Sequence, residues 1–179
     1  MCWRVKMAEM IPKFPFKAHY VMDGNGVILE LYRLLAIFHS SKELVSFKTS
    51  NHEEPIEYLL SFQESEVTRI LIHSASIARI VDDQHGSVLK DYGGECGTWI
   101  KNIEMSENVE PLPLREACNK IIHAKKIHLD MDEIECGHYL KPFVHFYGDY
   151  KGKSWKVSLN INDYILNYVS SVGKFLVHN

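Results

Sequence analysis

Arg115, Asn119 and His123 are the three residues whose types and spacing could do chemistry together. Each follows the last by four positions, so on a helix they lie along one stripe over about two turns. Histidine exchanges protons near neutral pH, and an arginine fork stabilises negative charge that collects on a phosphate. An asparagine amide can orient an imidazole or hold a phosphate oxygen. Such a stripe could carry out acid–base chemistry on a phosphate ester. Alternatively, His123 and Asn119 simply hydrogen-bond loop backbone at the flank of a helix.

A short amphipathic helix over Leu114–Ala124 must position these side chains. The apolar stripe beside them is formed by Leu114, Ala117, Cys118, Ile121 and Ile122. Such a polar row beside a buried row is typical of a helix that lines a cleft or an interface. One helix carries one histidine, so separate acid and base groups require a second copy across a twofold axis. The pattern thus predicts a homodimer.

Leu114–Ala124, its proline-rich approach and the tryptophan-containing hairpin that follows resemble bacterial proteins of the HEPN superfamily. The family motif places an arginine, a polar residue and then, after three residues, a histidine. Asn119 and His123 match the last two positions, whereas Cys118 occupies the position of the arginine. Arg115, one turn earlier, could supply the cation from a shifted position. Alternatively the site is degenerate and the fold is retained for binding.

The resemblance implies a mainly α protein, a helical bundle that dimerises through this helix. It further implies a metal-independent endoribonuclease in phage defence or toxin–antitoxin biology, with no cofactor and with RNA or an antitoxin as partner. In that reading His123 is the acid or base, Arg115 stabilises charge and Asn119 orients. The alternative is a non-catalytic HEPN-like module that binds RNA or a partner protein. Cys118 favours the alternative and His123 favours catalysis.

A second group of residues could hold RNA. Near the C-terminus, lysines alternate with aromatic residues: Tyr147, Tyr150, Lys151, Lys153, Trp155 and Lys156. Such a hairpin can hold a single-stranded backbone and stack a base, although hairpin tips are often merely solvated turns. Lys120, Lys125 and Lys126 add a basic strip beside the helix. The predicted RNA contacts are Lys120, Lys126, Lys151, Lys153 and Trp155.

Metal chemistry has little support in the sequence. His123, His128, Cys136 and His138 lie within 16 residues, and His145 follows. Their spacings match no zinc signature. No phosphate-binding glycine loop and no serine nucleophile elbow occur either. We therefore predict no metal and no cofactor.

Length and charge bound the remaining possibilities. The chain has 179 residues and a formal net charge of -3, which fits a single domain over 1–179 and gives no general attraction for nucleic acid. An RNA role therefore requires a local basic patch. No apolar run reaches the ~20 residues that span a bilayer, and no secretion signal precedes residue 14. The four cysteines form no CxxC pair, which favours a reducing cytoplasm.

Helical periodicity dominates the first half of the chain. Apolar residues predict one helix over about 26–39, running on toward Phe47, and a second from Pro55 to Asp82 with a break near Ser65. Residues 1–14 are predicted to be a flexible extension. Residues 83–110 read as a long connection rich in glycine and charge, in which Trp99-Ile100 forms a short strand or a helical turn.

Two strands are predicted, Tyr139–Tyr147 and Ser154–Asn160, with Gly148–Lys153 as the hairpin turn. Asn160 or Asn162 caps a last helix. Within the strands, one face carries Phe143, His145 and Tyr147 and alternates with Val144 and Phe146, and Trp155, Val157 and Leu159 alternate with Lys156 and Ser158. The predicted fold class is mainly α: a helical bundle with a C-terminal β-hairpin followed by a final helix.

Overall fold

The computed structural model describes residues 23–48, 53–91, 93–105 and 108–177; the predicted extension at 1–14 lies outside them. The helices are α1 (Gly24–Ser46), α2 (Glu53–Leu60), α3 (Gln63–His85), α4 (Val88–Asp91), α5 (Leu114–Ile122), α6 (Ile161–Ser171) and α7 (Gly173–Val177). The strands are β1 (Glu95–Ile100), β2 (Val109–Pro113), β3 (Lys126–Ile134), β4 (Gly137–Tyr150) and β5 (Lys153–Asn160). A 3-10 turn at Ile103–Met105 joins β1 to β2.

The five strands form one antiparallel sheet in the order β2-β1-β5-β4-β3. Helices pack against one face of it, with α1, α5 and α6 contacting the strands and α3 packing on α1 and α5. This is a two-layer α+β architecture. The expectation of a mainly α helical bundle is therefore wrong, because three further strands extend the two predicted ones into a five-stranded sheet.

The missed strands carry weak sequence signals. In β3 only Leu129 is buried, so the strand shows no regular alternation of apolar and polar residues. β2 ends in Pro-Leu-Pro, which argues against a central strand and is tolerated here because β2 lies at the edge of the sheet. β1 lies within the glycine-rich residues 83–110; of the two predicted alternatives for Trp99-Ile100, the strand is the one observed, as the end of this longer strand.

β1 also contains a bulge. Two residues lie between Glu95 and Thr98, whereas only one lies between their partners Pro113 and Pro111. The additional residue is accommodated at Gly97, whose φ of 146° suits glycine and whose Cβ would overlap the Ser158 carbonyl. The bulge therefore breaks the period of two that sequence patterns detect.

The helical predictions in the first half are confirmed in outline. α1 begins after Asp23, whose Oδ1 accepts the Gly26 N–H at 2.9 Å. The second predicted helix is two helices, α2 and α3, and they separate at residues 61–62 rather than at Ser65. Among the described residues, no helix is both long and apolar enough to cross a membrane.

Helix α6 is capped where it leaves β5 and is bonded to α3. Asn160 caps α6 by accepting the N–H groups of Asn162 at 3.0 Å and Asp163 at 3.3 Å. Tyr164 and Tyr168 are fully buried, and both hydroxyls bond Ser74 of α3 at 2.9 and 3.0 Å. These bonds satisfy polar groups that would otherwise destabilise the core.

The β4–β5 hairpin is tighter than predicted. Tyr150 pairs with Lys153, so the turn is Lys151-Gly152 rather than six residues. Both turn residues have positive φ, 51° and 74°, as a two-residue type I′ turn requires. β4 and β5 are therefore longer than the predicted strands, and the predicted alternation of their side chains is confirmed.

Candidate functional site

Arg115 is bound to the end of α3. Its Nε donates to Asp82 Oδ2 at 3.2 Å, and Arg79 Nη1 donates to the same oxygen at 3.2 Å. The second Asp82 oxygen accepts the Leu89 N–H at 2.9 Å. Asp82 is only 4% exposed, so it needs these partners to offset the loss of its hydration. Arg115 thus connects α5 to α3 and α4.

The other two predicted catalytic residues have different surroundings. Asn119 Nδ2 donates to Glu116 Oε1 at 3.4 Å, and His123 is exposed at the C-terminal end of α5. A groove of about 510 Å³ is lined by Arg115, Glu116 and Lys90 among others, but not by His123. Arg115 and His123 are eight positions apart, which corresponds to ~12 Å along the axis of a helix. The predicted triad therefore does not converge within one chain.

Cys118, at the position of the family arginine, belongs to the core. Its side chain is fully buried. Burial raises the pKa of the thiol, with a smaller contribution from Cys96. A neutral thiol in an apolar environment is a poor nucleophile and cannot replace a cation. The prediction that Cys118 packs as a small hydrophobe is confirmed.

Lys120 and Trp155 serve the packing of α5 on the sheet. Lys120 Nζ lies 4.4 Å from the ring centroid of Trp99 and 4.6 Å from that of Trp155. Burial lowers the pKa of Lys120. Trp155 is 3% exposed. It points toward the helices and cannot stack a base, which corrects its predicted role in RNA binding.

The remaining predicted RNA contacts lie at the surface. Lys151 and Lys153 are exposed at the hairpin turn, and Lys151 Nζ lies 5.2 Å from the Tyr150 ring centroid. Lys126 is exposed at the start of β3, directly across from Tyr147 of β4. Lys126 is therefore the predicted contact that shares a face of the sheet with Tyr147.

The sheet face that points away from the helices carries an aromatic and basic pattern. In β4, Val144 and Phe146 are buried against the helices, so alternate residues point to the opposite side. We call this side the outer face. From β3, β4 and β5 it presents Lys126, His128, Asp130, Lys141, Phe143, His145, Tyr147, Lys156 and Ser158.

Two histidines lie side by side on the outer face. His128 of β3 is directly opposite His145 of β4, and their rings are 6.1 Å apart between centroids and within 14° of parallel. His145 in turn faces Ser158 of β5, with 2.9 Å between His145 Nδ1 and Ser158 Oγ. The register of three strands therefore assembles His128, His145 and Ser158 in one row.

Lysines make this part of the outer face positive. Lys126 and Lys156 lie on either side of Tyr147 in the register. Within the described residues, neither ammonium group has a carboxylate at ion-pair distance, whereas Lys141 pairs with Asp130 at 3.4 Å. Burial lowers the pKa of His145, and the charge of Lys156 lowers it further. Such a surface attracts anions more than cations.

Sequence reasoning found half of this face. The sequence shows the alternation of Phe143, His145 and Tyr147, but it gives no strand pattern for β3. His128 is therefore predicted from the sequence only as a candidate metal ligand. The structured ranges contain no group of three or more side chains that could hold a metal ion. The pairing of His128 with His145 could have been found only by recognising β3 as a strand.

Comparison with known proteins gives no further guide: no family model, no curated protein and no solved structure matches this chain.

Proposed function

We propose that this is a cytoplasmic RNA-binding protein that holds a single strand on the outer face of its sheet. One observation carries the proposal: aromatic side chains alternate with cationic ones on adjacent strands, and two of the lysines have no carboxylate at ion-pair distance in the described part of the chain. Surfaces of this kind bind single strands by combining a basic track with stacking platforms. The proposal corresponds to the non-catalytic alternative that the sequence leaves open.

Tyr147 and Phe143 supply the stacking. They are four residues apart along β4, or ~13 Å, and both side chains are half-buried. The Lys156 ammonium lies 5.8 Å from the centroid of the Tyr147 ring, so a base that stacks on this ring must displace the ammonium or lie beside it. Every base has a π face, so such contacts tolerate different sequences. We therefore expect weak sequence preference.

Lys126 and Lys156 supply the phosphate contacts. They pair with Tyr147 from the two neighbouring strands, and the Lys156 ammonium lies 5.8 Å from the Tyr147 ring centroid, close enough to contact a phosphate beside this ring. This arrangement provides the local basic patch that a chain of net charge -3 needs. Preference for RNA over DNA rests on the hydroxyls of Tyr147 and Ser158, which can bond a 2′-hydroxyl.

Catalysis by the α5 stripe is less compatible with this geometry. For Arg115 to reach a phosphate beside His123, its Nε would have to leave Asp82. The buried carboxylate would then lose one of its two guanidinium partners, which is unfavourable. The geometry therefore supports a binding function on the sheet better than a catalytic function on this helix.

Removing both lysines tests the proposal. We expect Lys126→Ala/Lys156→Ala to bind a fluorescent 12-nucleotide RNA more weakly than wild type in an anisotropy titration. Because two phosphate contacts are lost, the slope of log affinity against log salt should become shallower by ~1.4. A DNA strand of the same sequence, measured in parallel, tests the preference for RNA.

The matched control is Lys90→Ala, which removes an exposed lysine from the groove beside Arg115. Its affinity and salt slope should equal those of wild type. An unchanged slope in the double variant, or a larger loss in Lys90→Ala, would contradict the proposal.

A further inference from the structure

The histidine row of the outer face has a geometry that simple binding does not require. Two imidazoles project from neighbouring strands with 6.1 Å between ring centroids. In-line displacement at phosphorus needs a base at the attacking oxygen and an acid at the leaving oxygen, on opposite sides of one phosphate. A phosphodiester lying across this row would place one imidazole near each of these oxygens.

We propose that His128 and His145 form an acid–base pair that cleaves RNA held on the outer face. The inference rests on the proposed function, because the phosphodiester must first lie on this face. It assigns a reaction to two residues outside α5, and both come from one chain.

His145 suits the role of base. When its Nδ1–H donates to Ser158 Oγ, 2.9 Å away, Nε2 keeps its lone pair and the ring is held in one orientation. Burial is the main cause that lowers the pKa of His145, followed by the charge of Lys156. Both effects favour the neutral form of the imidazole, which can accept a proton.

His128 suits the role of acid. It is exposed on β3, whereas His145 is half-buried, so its ring is open to solvent and can exchange protons with it. Lys156 lies two residues before Ser158 on β5, so its side chain projects from the same face of the sheet beside the histidine row. Its ammonium group can neutralise charge that develops on the phosphate oxygens.

The reaction needs no additional reactant. His145 Nε2 takes the proton of a ribose 2′-hydroxyl, and the 2′-oxygen forms a bond to phosphorus. The bond from phosphorus to the 5′-oxygen breaks, and His128 gives its proton to that oxygen. The products are a 2′,3′-cyclic phosphate and a 5′-hydroxyl end. The proton gained by His145 equals the one lost by His128, and solvent exchange restores both.

A divalent cation is a weaker occupant of the same row. The charge of Lys156 lowers the pKa of His145 and outweighs Asp130, which raises it, and Lys141 adds a smaller lowering effect. Asp130, the nearby carboxylate, is paired with Lys141. The electrostatics therefore favour a phosphate over a metal ion.

Cleavage of a 5′-labelled single-stranded RNA in EDTA tests the pair. We expect wild type to yield fragments ending in 2′,3′-cyclic phosphate by mass spectrometry, and a matching all-deoxy strand to stay intact. His145→Gln and His128→Gln should each cleave at least ~100-fold more slowly than wild type. The control His138→Gln removes an exposed histidine of β4 outside the row and should cleave as wild type does.

Anisotropy of the same RNA in the same preparations separates the two proposals. Binding without cleavage by wild type would overturn this inference and leave the proposed function in place; absence of binding would overturn both. Equal cleavage by wild type and both variants would also overturn it. So would loss of cleavage in His123→Gln together with full activity in His145→Gln, because the reaction would then belong to α5.

Discussion

Replacing Asp82 with Ala is expected to lower the free energy of unfolding by about 3 kcal/mol. The change leaves the buried Leu89 N–H without an acceptor and removes the shared partner of Arg79 and Arg115. This loss of stability should lie at the lower end of the range for breaking a buried ion pair. The side chains of Arg115 and Arg79 are 42% and 23% exposed, so water can solvate the two guanidinium groups when the carboxylate is removed. Urea unfolding followed by circular dichroism measures the change in the free energy of unfolding. The dependence of that free energy on urea concentration, the m value, should stay unchanged.

Two variants sharpen this experiment. Asp82→Asn keeps an oxygen for the Leu89 N–H but removes the charge, so it should lose less stability than Asp82→Ala. Asp83→Asn removes a 72% exposed carboxylate that lies 3.6 Å from Arg79, and we expect a change below ~0.5 kcal/mol. If Asp82→Ala is as stable as wild type, Arg115 is not held by Asp82 and could serve a substrate.

The double variant Phe143→Ala/Tyr147→Ala should lose most of its affinity for single-stranded RNA. Each base stacked on an aromatic ring contributes about 1–3 kcal/mol. Two lost stacks therefore weaken binding by ~30-fold or more, since about 1.4 kcal/mol is a factor of ten. Anisotropy titrations against a 12-nucleotide RNA at one fixed salt concentration measure this loss.

The control for stacking is Tyr150→Ala. Tyr150 is 65% exposed next to the hairpin turn, outside the outer face as defined, and its removal should change the affinity little. Both rings of the double variant are half-buried, so its thermal unfolding must be shown to remain cooperative. Wild-type affinity in the folded double variant would exclude stacking on β4.

The sequence was sufficient for the elements whose apolar residues repeat regularly. Leu31, Leu34 and Phe38 follow the helical period and are buried in α1. Trp155, Val157 and Leu159 follow the strand period and are buried in β5. Both patterns exist because each element buries one continuous side against the same core.

The predicted fold class is wrong because some strands depart from the regular spacing of apolar residues. β3 buries only Leu129, since it lies at the edge of the sheet, and β1 has a bulge at Gly97. Neither strand therefore shows a period of two. Their omission turned a five-stranded sheet into an isolated hairpin.

The candidate site was only partly predictable for the same reason. The α5 helix was predicted, and its bounds are close to those observed. The partner of Arg115 is not local, because Asp82 lies 33 residues earlier in the chain. The His128–His145 pair likewise depends on strand register, which amino-acid spacing alone does not reveal.

Ultraviolet crosslinking of bound RNA, with the modified residues identified by mass spectrometry, tests the location of binding most directly. The account predicts crosslinks on the strand stretches that hold Phe143, Tyr147 and the two histidines between β3 and β4. Crosslinks confined to α5 near His123, or to α1 and α3, with the outer face unmodified, would contradict it.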